Sequence, residues 1–166
     1  MPYFNFTVPE ATGIVAVIAP ENSSLLGLIS VVVPAIAGGN VCVVLASSSK
    51  PLCSITWAEV LHSSDVPAGV VNIITGIKNE LLKHFSSHMD VNALVYCGDK
   101  VKEIRTIEKM ASLNVKRAVI YQNTDWNPVY IFVNHSTLYI QCGHFFNHSN
   151  FFHFIAAVYQ GIHIHM

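Results

Sequence analysis

The sequence predicts an α/β fold, in which a Rossmann-like parallel sheet of five strands carries helices on both faces. Up to about Asp125, short apolar runs alternate with polar segments of mixed charge that have helical spacing. The runs are apolar throughout, which is typical of strands buried on both faces of a parallel sheet. Right-handed crossovers between such strands give a doubly wound sheet.

The strands are predicted from apolar runs of strand length that are rich in β-branched residues. They lie at residues 13–19, 40–45, 69–74, 91–96 and 116–121.

The helices are predicted from the segments between these runs, at residues 22–37, 52–63, 78–85 and 100–111. The first begins at Asn22, a helix-capping residue type, and ends at Gly38-Gly39, a common helix stop. The second has apolar residues at helical spacing, the third is short, and the fourth is charged and amphipathic.

Ligands of doubly wound sheets bind beyond the carboxyl ends of the strands. In this sequence those ends are residues 19–22, 45–48, 75–76, 96–99 and 121–122. Functional residues are therefore expected in these five segments.

The overall composition excludes some classes of protein. The formal net charge is −1, whereas a protein that follows nucleic-acid phosphates shows a basic excess. The most apolar stretch, residues 25–37, is shorter than the roughly 20 residues of a spanning helix and contains Pro34. With no signal-peptide pattern and four widely spaced cysteines, we expect a cytoplasmic protein with reduced thiols and no nucleic-acid or membrane partner.

The last part of the chain differs in composition from the rest. After Asp125 there is no Asp, Glu, Lys or Arg, and this stretch holds six of the nine His and six of the nine Phe. A domain surface needs charged residues for solubility. We therefore expect a folded region at residues 11–127 and an atypical tail at residues 128–166 that is not part of the fold.

Five segments of the sequence resemble the cofactor-binding region of aldehyde dehydrogenases. Residues 13–22 (Gly-Ile-Val-Ala-Val-Ile-Ala-Pro-Glu-Asn) are similar to the strand before that family's Pro-Trp-Asn turn. The other segments are Pro-Ala-Ile-Ala-Gly-Gly-Asn at 34–40, the Pro-x-Gly-Val-x-Asn-x-x-x-Gly pattern at 67–76, His-x-Asp-Val at 88–91 with Tyr-x-Gly at 96–98, and Asn-Val-Lys-Arg at 114–117. They occur in the family's order and spacing over roughly residues 11–125. The resemblance implies a Rossmann-like fold and NAD(P)-dependent oxidation of an aldehyde to a carboxylic acid.

Some positions keep the residue that the family uses. Asn22 matches an amide that helps to hold the oxyanion, although the same side chain could simply cap the first helix. The resemblance also implies cofactor contacts at Ala19, Pro20, Gly76 and Gly98.

Other positions depart from the family pattern. Leu45 stands where the family has a lysine that contacts the adenosine ribose, and Ser48 stands where a glutamate often binds the ribose hydroxyls. Residues 47–49 are three serines, which could partly replace these contacts or could be plain loop. Cofactor binding by this chain is therefore in doubt.

The phosphate-proximal turn and the general base also depart from the pattern. Asp99 and Glu103 replace a serine and a glycine of the phosphate-binding turn, and a carboxylate there would compete with a pyrophosphate. We interpret Asp99 as a helix cap. Tyr121 stands at the position of the general base, where a phenol of pKa near 10 cannot replace a carboxylate.

The tail supplies no identifiable nucleophile and no convincing metal site. Cys142 has no family motif and no neighbouring Lys or Arg, so we do not assign it as the nucleophile. A metal site could be built from the tail histidines, but glycine and asparagine around them argue against a helix. These are His144, His148, His153, His163 and His165. We expect no metal, and interpret the tail as sequence never selected as protein.

Two functions follow from the resemblance. One is an active NAD(P)-dependent aldehyde dehydrogenase. The other, which we favour, is an inactive, partial module that packs on another dehydrogenase-like domain or forms a homo-oligomer, since the packing residues are kept while the site residues are lost. The pattern is most similar to the degenerate second module of aldehyde dehydrogenase family 16.

Overall fold

The computed structural model describes residues 10–126, which form one parallel five-stranded sheet with two helices on each face. The strands are β1 (Ile14–Ile18), β2 (Val41–Leu45), β3 (Val71–Ile74), β4 (Ala93–Cys97) and β5 (Arg117–Tyr121). The helices are α1 (Leu26–Ala37), α2 (Pro51–Ser63), α3 (Lys78–Ser87) and α4 (Val101–Leu113). The predicted fold class is confirmed. The boundary predicted at residue 128 and the tail lie outside the described residues.

The strand order is β3-β2-β1-β4-β5, and every neighbouring pair is parallel. The chain moves outward from β1 to β3, returns to the centre, and then moves outward through β4 to β5. The topological switch point therefore lies between β1 and β4, which is where doubly wound sheets open a crevice for ligands.

The side chains of β1, β2, β4 and β5 alternate between two hydrophobic cores, whereas β3 contributes Val71 and Ile73 to one core only. Val15, Val17 and Ala19 face the core under α1 and α2, whereas Ala16 and Ile18 face the core under α3 and α4. Because both faces of β1 are covered, this strand carries no polar residue, as the sequence pattern predicted. Leu45, which is 1% exposed, belongs to the second core.

Asn40, at the end of the Pro-Ala-Ile-Ala-Gly-Gly-Asn segment, joins two elements of the fold. Asn40 is buried; its amide nitrogen donates to the Ala35 carbonyl at the end of α1, and its amide oxygen accepts the N–H of Gly13 at 3.0 Å. The preceding Gly39 has a φ of 82°, a left-handed conformation that favours glycine at a helix end. The Gly-Gly-Asn segment therefore ends α1, leads into β2 and holds Gly13, the residue before β1, which is a structural role.

Helix α1 begins later than the sequence predicted. Its first residue is Leu26, and its N-cap, Leu25, makes no side-chain capping hydrogen bond. Ser23 accepts the N–H of Gly27 instead, through both its carbonyl and its hydroxyl oxygen. The interpretation of Asn22 as the helix cap is therefore wrong, because residues 22–25 form bends and turns before the helix starts.

Candidate functional site

A cleft of about 240 Å³ opens at the topological switch point. It lies beyond the carboxyl ends of β1, β4 and β5, on the edge of the sheet where the sequence placed the functional residues. The residues that line it are Pro20, Glu21, Asn22, Lys78, Tyr96, Cys97, Gly98, Asp99, Lys100, Tyr121, Asn123, Thr124 and Trp126.

The structure brings some of the predicted site residues together here. Pro20, Asn22, Gly98, Asp99 and Tyr121 all line the cleft. Asn22 is exposed, lines the cleft and does not cap α1. This placement is compatible with the oxyanion role that the resemblance implies.

Asp99 binds a neighbouring loop and does not cap helix α4. The N-cap of α4 is Lys100, and no side chain caps the helix. Oδ1 of Asp99 accepts the backbone N–H of Asn123 at 2.6 Å, in the loop that follows β5. The cap interpretation is therefore wrong. Asp99 meets Asn123 because the register of β4 and β5 pairs Cys97 with Tyr121, which brings the two loops that follow these strands together.

Glu103, in the first turn of α4, forms a compact polar cluster with three side chains. Its Oε2 accepts the hydroxyl of Tyr96 at 2.7 Å and lies 3.1 Å from Nζ of Lys78, while its Oε1 lies 3.2 Å from Nζ of Lys100. Burial by itself would raise the pKa of Glu103, but the hydrogen bonds from Tyr96, Lys78 and Lys100 outweigh it, and the pKa is lowered. The carboxyl group of Glu103 is therefore ionised near pH 7.

Lys78 and Tyr96 are held by the same cluster. Nζ of Lys78 lies 3.4 Å from the Tyr96 hydroxyl and 4.6 Å from the centre of its ring. The pKa of Tyr96 is raised, first by burial and then by its hydrogen bond to Glu103. The phenol therefore stays protonated and donates to the carboxylate. Gly98 allows this packing, since a Cβ there would lie 2.8 Å from the Tyr96 oxygen.

Tyr121 and Cys97 lie on neighbouring strands at the wall of the cleft. Burial raises the pKa of Tyr121, and the nearby Cys97 adds to the effect. Burial also raises the pKa of Cys97, against the opposing influence of Lys78. Both groups are therefore neutral near pH 7: Tyr121 offers no anionic base, and Cys97 offers no thiolate.

The loop after β2 is tied to the loop after β1. We call residues 47–49 the serine loop. The carboxylate of Glu21 accepts the hydroxyls of Ser47 and Ser49 at 2.6 and 2.8 Å, and the backbone N–H groups of Ser48 and Ser49 at 3.1 Å each. These hydrogen bonds lower the pKa of Glu21 to about 2, although burial by itself would raise it.

The remaining predicted cofactor positions lie outside the cleft lining. Ala19 is buried in the core under α1, and its N–H donates to the Leu45 carbonyl. Gly76 lies beyond β3, where its carbonyl accepts the hydroxyl of Ser48 at a long 3.5 Å. Leu45 points into the opposite core and offers only apolar packing.

Within residues 10–126 there is no group of three His, Cys, Asp or Glu side chains that could hold a metal ion. No helix in this part of the chain is long and apolar enough to cross a membrane. Cys142 and the tail histidines lie outside the described residues.

Sequence reasoning missed four residues that shape the site, namely Glu21, Lys78, Tyr96 and Asn123. The first three carry groups whose partners lie 7 to 28 residues away along the chain. Asn123 takes part through its backbone, in a left-handed conformation with a φ of 47°. The only signal for Glu21 was its place in a strand-end segment.

Comparisons with known proteins identify relatives of this chain. The sequence model of the Aldehyde dehydrogenase family matches residues 1–125. Hydroxyisobutyraldehyde dehydrogenase of Mycolicibacterium austroafricanum is 36% identical over 94 residues, which are 57% of this chain and 19% of that protein. An aldehyde dehydrogenase of Davidiella tassiana is 30% identical over 149 residues, or 87% of this chain and 30% of that protein. The chain thus spans less than a third of the length of these relatives.

Solved structures show the same fold. The betaine aldehyde dehydrogenase of Staphylococcus aureus in complex with NAD+ superposes with a TM-score of 0.65 and 30% identity, over 68% of this chain and 22% of that one. A mutant of aldehyde dehydrogenase C of Pseudomonas syringae, solved with NAD+ and octanal, gives 0.66 and 28% over 69% and 23%.

Proposed function

The chain belongs to the aldehyde dehydrogenase family, and on that basis we propose that it is an inactive module of the family, whose role is to pack against another dehydrogenase-like domain or a second copy of itself. The family reaction is the NAD(P)-dependent oxidation of an aldehyde to a carboxylic acid. The proposal rests on the fit between the groups in the cleft and the groups that this reaction needs.

The carboxylates beside the turn after β4 carry the proposal. A dinucleotide pyrophosphate needs backbone N–H groups or cations that are not already bound to an anion. Here Asp99 lines the cleft and accepts a backbone N–H, while Glu103 engages Lys78 and Lys100. The residues present therefore do not fit a dinucleotide, since its phosphates would meet one carboxylate at the cleft wall and lysines paired with another.

The acid–base groups of the cleft support the same proposal. Tyr121, at the position of the family's general base, has a raised pKa and stays protonated. Asn22, which matches the family's oxyanion amide by resemblance, lines the cleft. A nucleophile, a base and an oxyanion donor act as a unit, so a lone amide supplies no turnover.

A second candidate function is an active NAD(P)-dependent aldehyde dehydrogenase. It is favoured by the family membership and by the position of Asn22 in a cleft at the switch point of the sheet. The two candidates differ in cofactor affinity and in turnover, and both can be measured.

The first experiment is calorimetric titration of NAD+ and NADP+ into the full chain, with the S. aureus betaine aldehyde dehydrogenase as a positive control. We expect no heat of binding up to about millimolar cofactor, which corresponds to less than about 4 kcal/mol of binding free energy. Micromolar affinity would overturn the proposal.

The second experiment measures NADH production from a panel of small aldehydes. We expect no rate for the wild-type chain and none for Tyr121→Glu, because one restored carboxylate does not restore the unit. A clear wild-type rate that Cys142→Ser abolishes would establish the enzyme instead.

Sedimentation velocity tests for a homo-oligomer. The cytoplasmic location and the similarity to the family 16 module stay predictions.

A further inference from the structure

The loop that follows β2 binds the Glu21 carboxylate in the way that a protein binds a ligand. Its two carboxylate oxygens accept four hydrogen bonds from the serine loop, at 2.6 to 3.1 Å. Two of the donors are hydroxyls and two are backbone N–H groups. Oε2 accepts three of these hydrogen bonds and Oε1 accepts one.

The serine loop begins at a buried residue that follows a buried strand end. Ser47 is 1% exposed, directly after the buried end of β2. Strands β1 and β2 are paired in register from Ile14 with Val41 to Ile18 with Leu45, so their following loops are adjacent. The serine loop is thus held at the edge of the sheet where doubly wound folds bind ligands.

We propose that the serine loop is a binding site for a carboxylate or a similar small oxyanion, and that Glu21 is the internal ligand that occupies it. An external anion meets these donors only if it displaces a tethered carboxylate. Tethering gives Glu21 an effective concentration of the order of millimolar or higher, so a weak external ligand does not compete. The inference stands apart from the proposed function, because it needs neither cofactor binding nor turnover.

The geometry also decides between the two interpretations of the serines. They are not plain loop, because three consecutive residues contribute donors to one acceptor. They are not open replacements for a lost cofactor contact, because Glu21 already takes those donors.

The test is chemical rescue of the full chain carrying Glu21→Ala, with sodium formate as the probe and sodium chloride at equal ionic strength as the control. At about 0.1 M formate, we expect the melting temperature of Glu21→Ala to rise by about 5 °C more than in chloride, through binding to the folded state. The wild-type chain and Glu21→Gln should respond to both salts alike, because their own side chain fills the site. Adding Ser47→Ala and Ser49→Ala to the Glu21→Ala variant should abolish the rescue.

Two results would overturn the proposal: an equal response of Glu21→Ala to formate and chloride, or rescue that survives loss of both serine hydroxyls. If Glu21→Ala is unfolded in chloride, refolding in formate supports the proposal, and failure to refold counts against it. The wild-type chain gives a second readout by NMR. The amide protons of Ser48 and Ser49 should shift with the Glu21 titration at a pH near 2, and a midpoint near 4.5 would also contradict the proposal.

Discussion

The carboxylate of Asp99 accepts the backbone N–H of Asn123 at 2.6 Å, so that the loop after β4 holds the loop after β5. Asn123 has a φ of 47°, and the hydrogen bond helps to keep this less common conformation. This contact fixes the position of the Asp99 side chain at the wall of the cleft.

Replacing Asp99 by Ala should destabilise the chain by about 1 kcal/mol, because a hydrogen bond to a charged acceptor is lost at a solvent-exposed position. Asp99→Asn should cost less, since its amide oxygen can still accept the N–H group. The measurement is the free energy of unfolding in urea. Asp65→Ala, at an exposed carboxylate before β3, is the control and should change little; an equal effect of the two Ala variants would contradict the role of Asp99.

Lys78 and Lys100 pair with the same carboxylate but differ in burial. The Lys78 side chain is 12% exposed and the Lys100 side chain is 71% exposed, with Glu103 at 11%. Lys78→Met should cost about 2–3 kcal/mol, because it leaves a largely buried carboxylate with less compensation. Lys100→Met should cost less than about 1 kcal/mol. Urea unfolding of both variants tests this, and equal losses would show that burial does not set the strength of these ion pairs.

Glu21 should make stability depend on pH at the acidic end. Its folded-state pKa of about 2 lies below the ordinary value of 4.5, so its contribution is fully present above about pH 4.5. That contribution is lost as the pH falls from 4.5 through 2. We expect the difference in unfolding free energy between the wild-type chain and Glu21→Gln to shrink over this window. A difference that stays constant with pH would contradict the depressed pKa.

Val115 has a φ of 52° in the turn between α4 and β5, and the residue is 92% exposed. A β-branched residue is strained in this conformation, and Asn adopts it more readily. Val115→Asn should therefore stabilise the chain by about 1 kcal/mol, measured by thermal unfolding. Val115→Ala keeps a Cβ but loses the branch, so it should gain less; a loss of stability in the Asn variant would show that Val115 makes contacts that outweigh its backbone strain.

Local patterns predicted the elements of the fold well. The apolar run at the first strand predicted β1, and Gly38-Gly39 predicted the end of α1, because both features depend on neighbouring residues. The start of α1 was predicted four residues early. Asn22 has the residue type of a helix cap, but the turn at 22–25 and the backbone contact of Ser23 put the start at Leu26.

The site could be located from the sequence but its partners could not be predicted. The strand-end segments named Asn22, Gly98, Asp99 and Tyr121, and all four line the cleft. Asp99 was assigned to its own helix, because a carboxylate just before a helix usually caps it. Its partner lies 24 residues further along the chain and was not visible to any local pattern.

The sequence by itself determined the parallel doubly wound sheet, the edge at which functional groups gather, and the family, because periodicity, helix stops and ordered motifs are local properties. Only the tertiary structure decided which partner each carboxylate meets: Glu21 the serine loop, Glu103 Lys78, and Asp99 the backbone N–H of Asn123. These pairs depend on strand register and on the directions of side chains from separate elements, and most hydrogen bonds have donor–acceptor distances near 3 Å. A chain pattern places residues to within a turn or a strand, which is coarser than that distance.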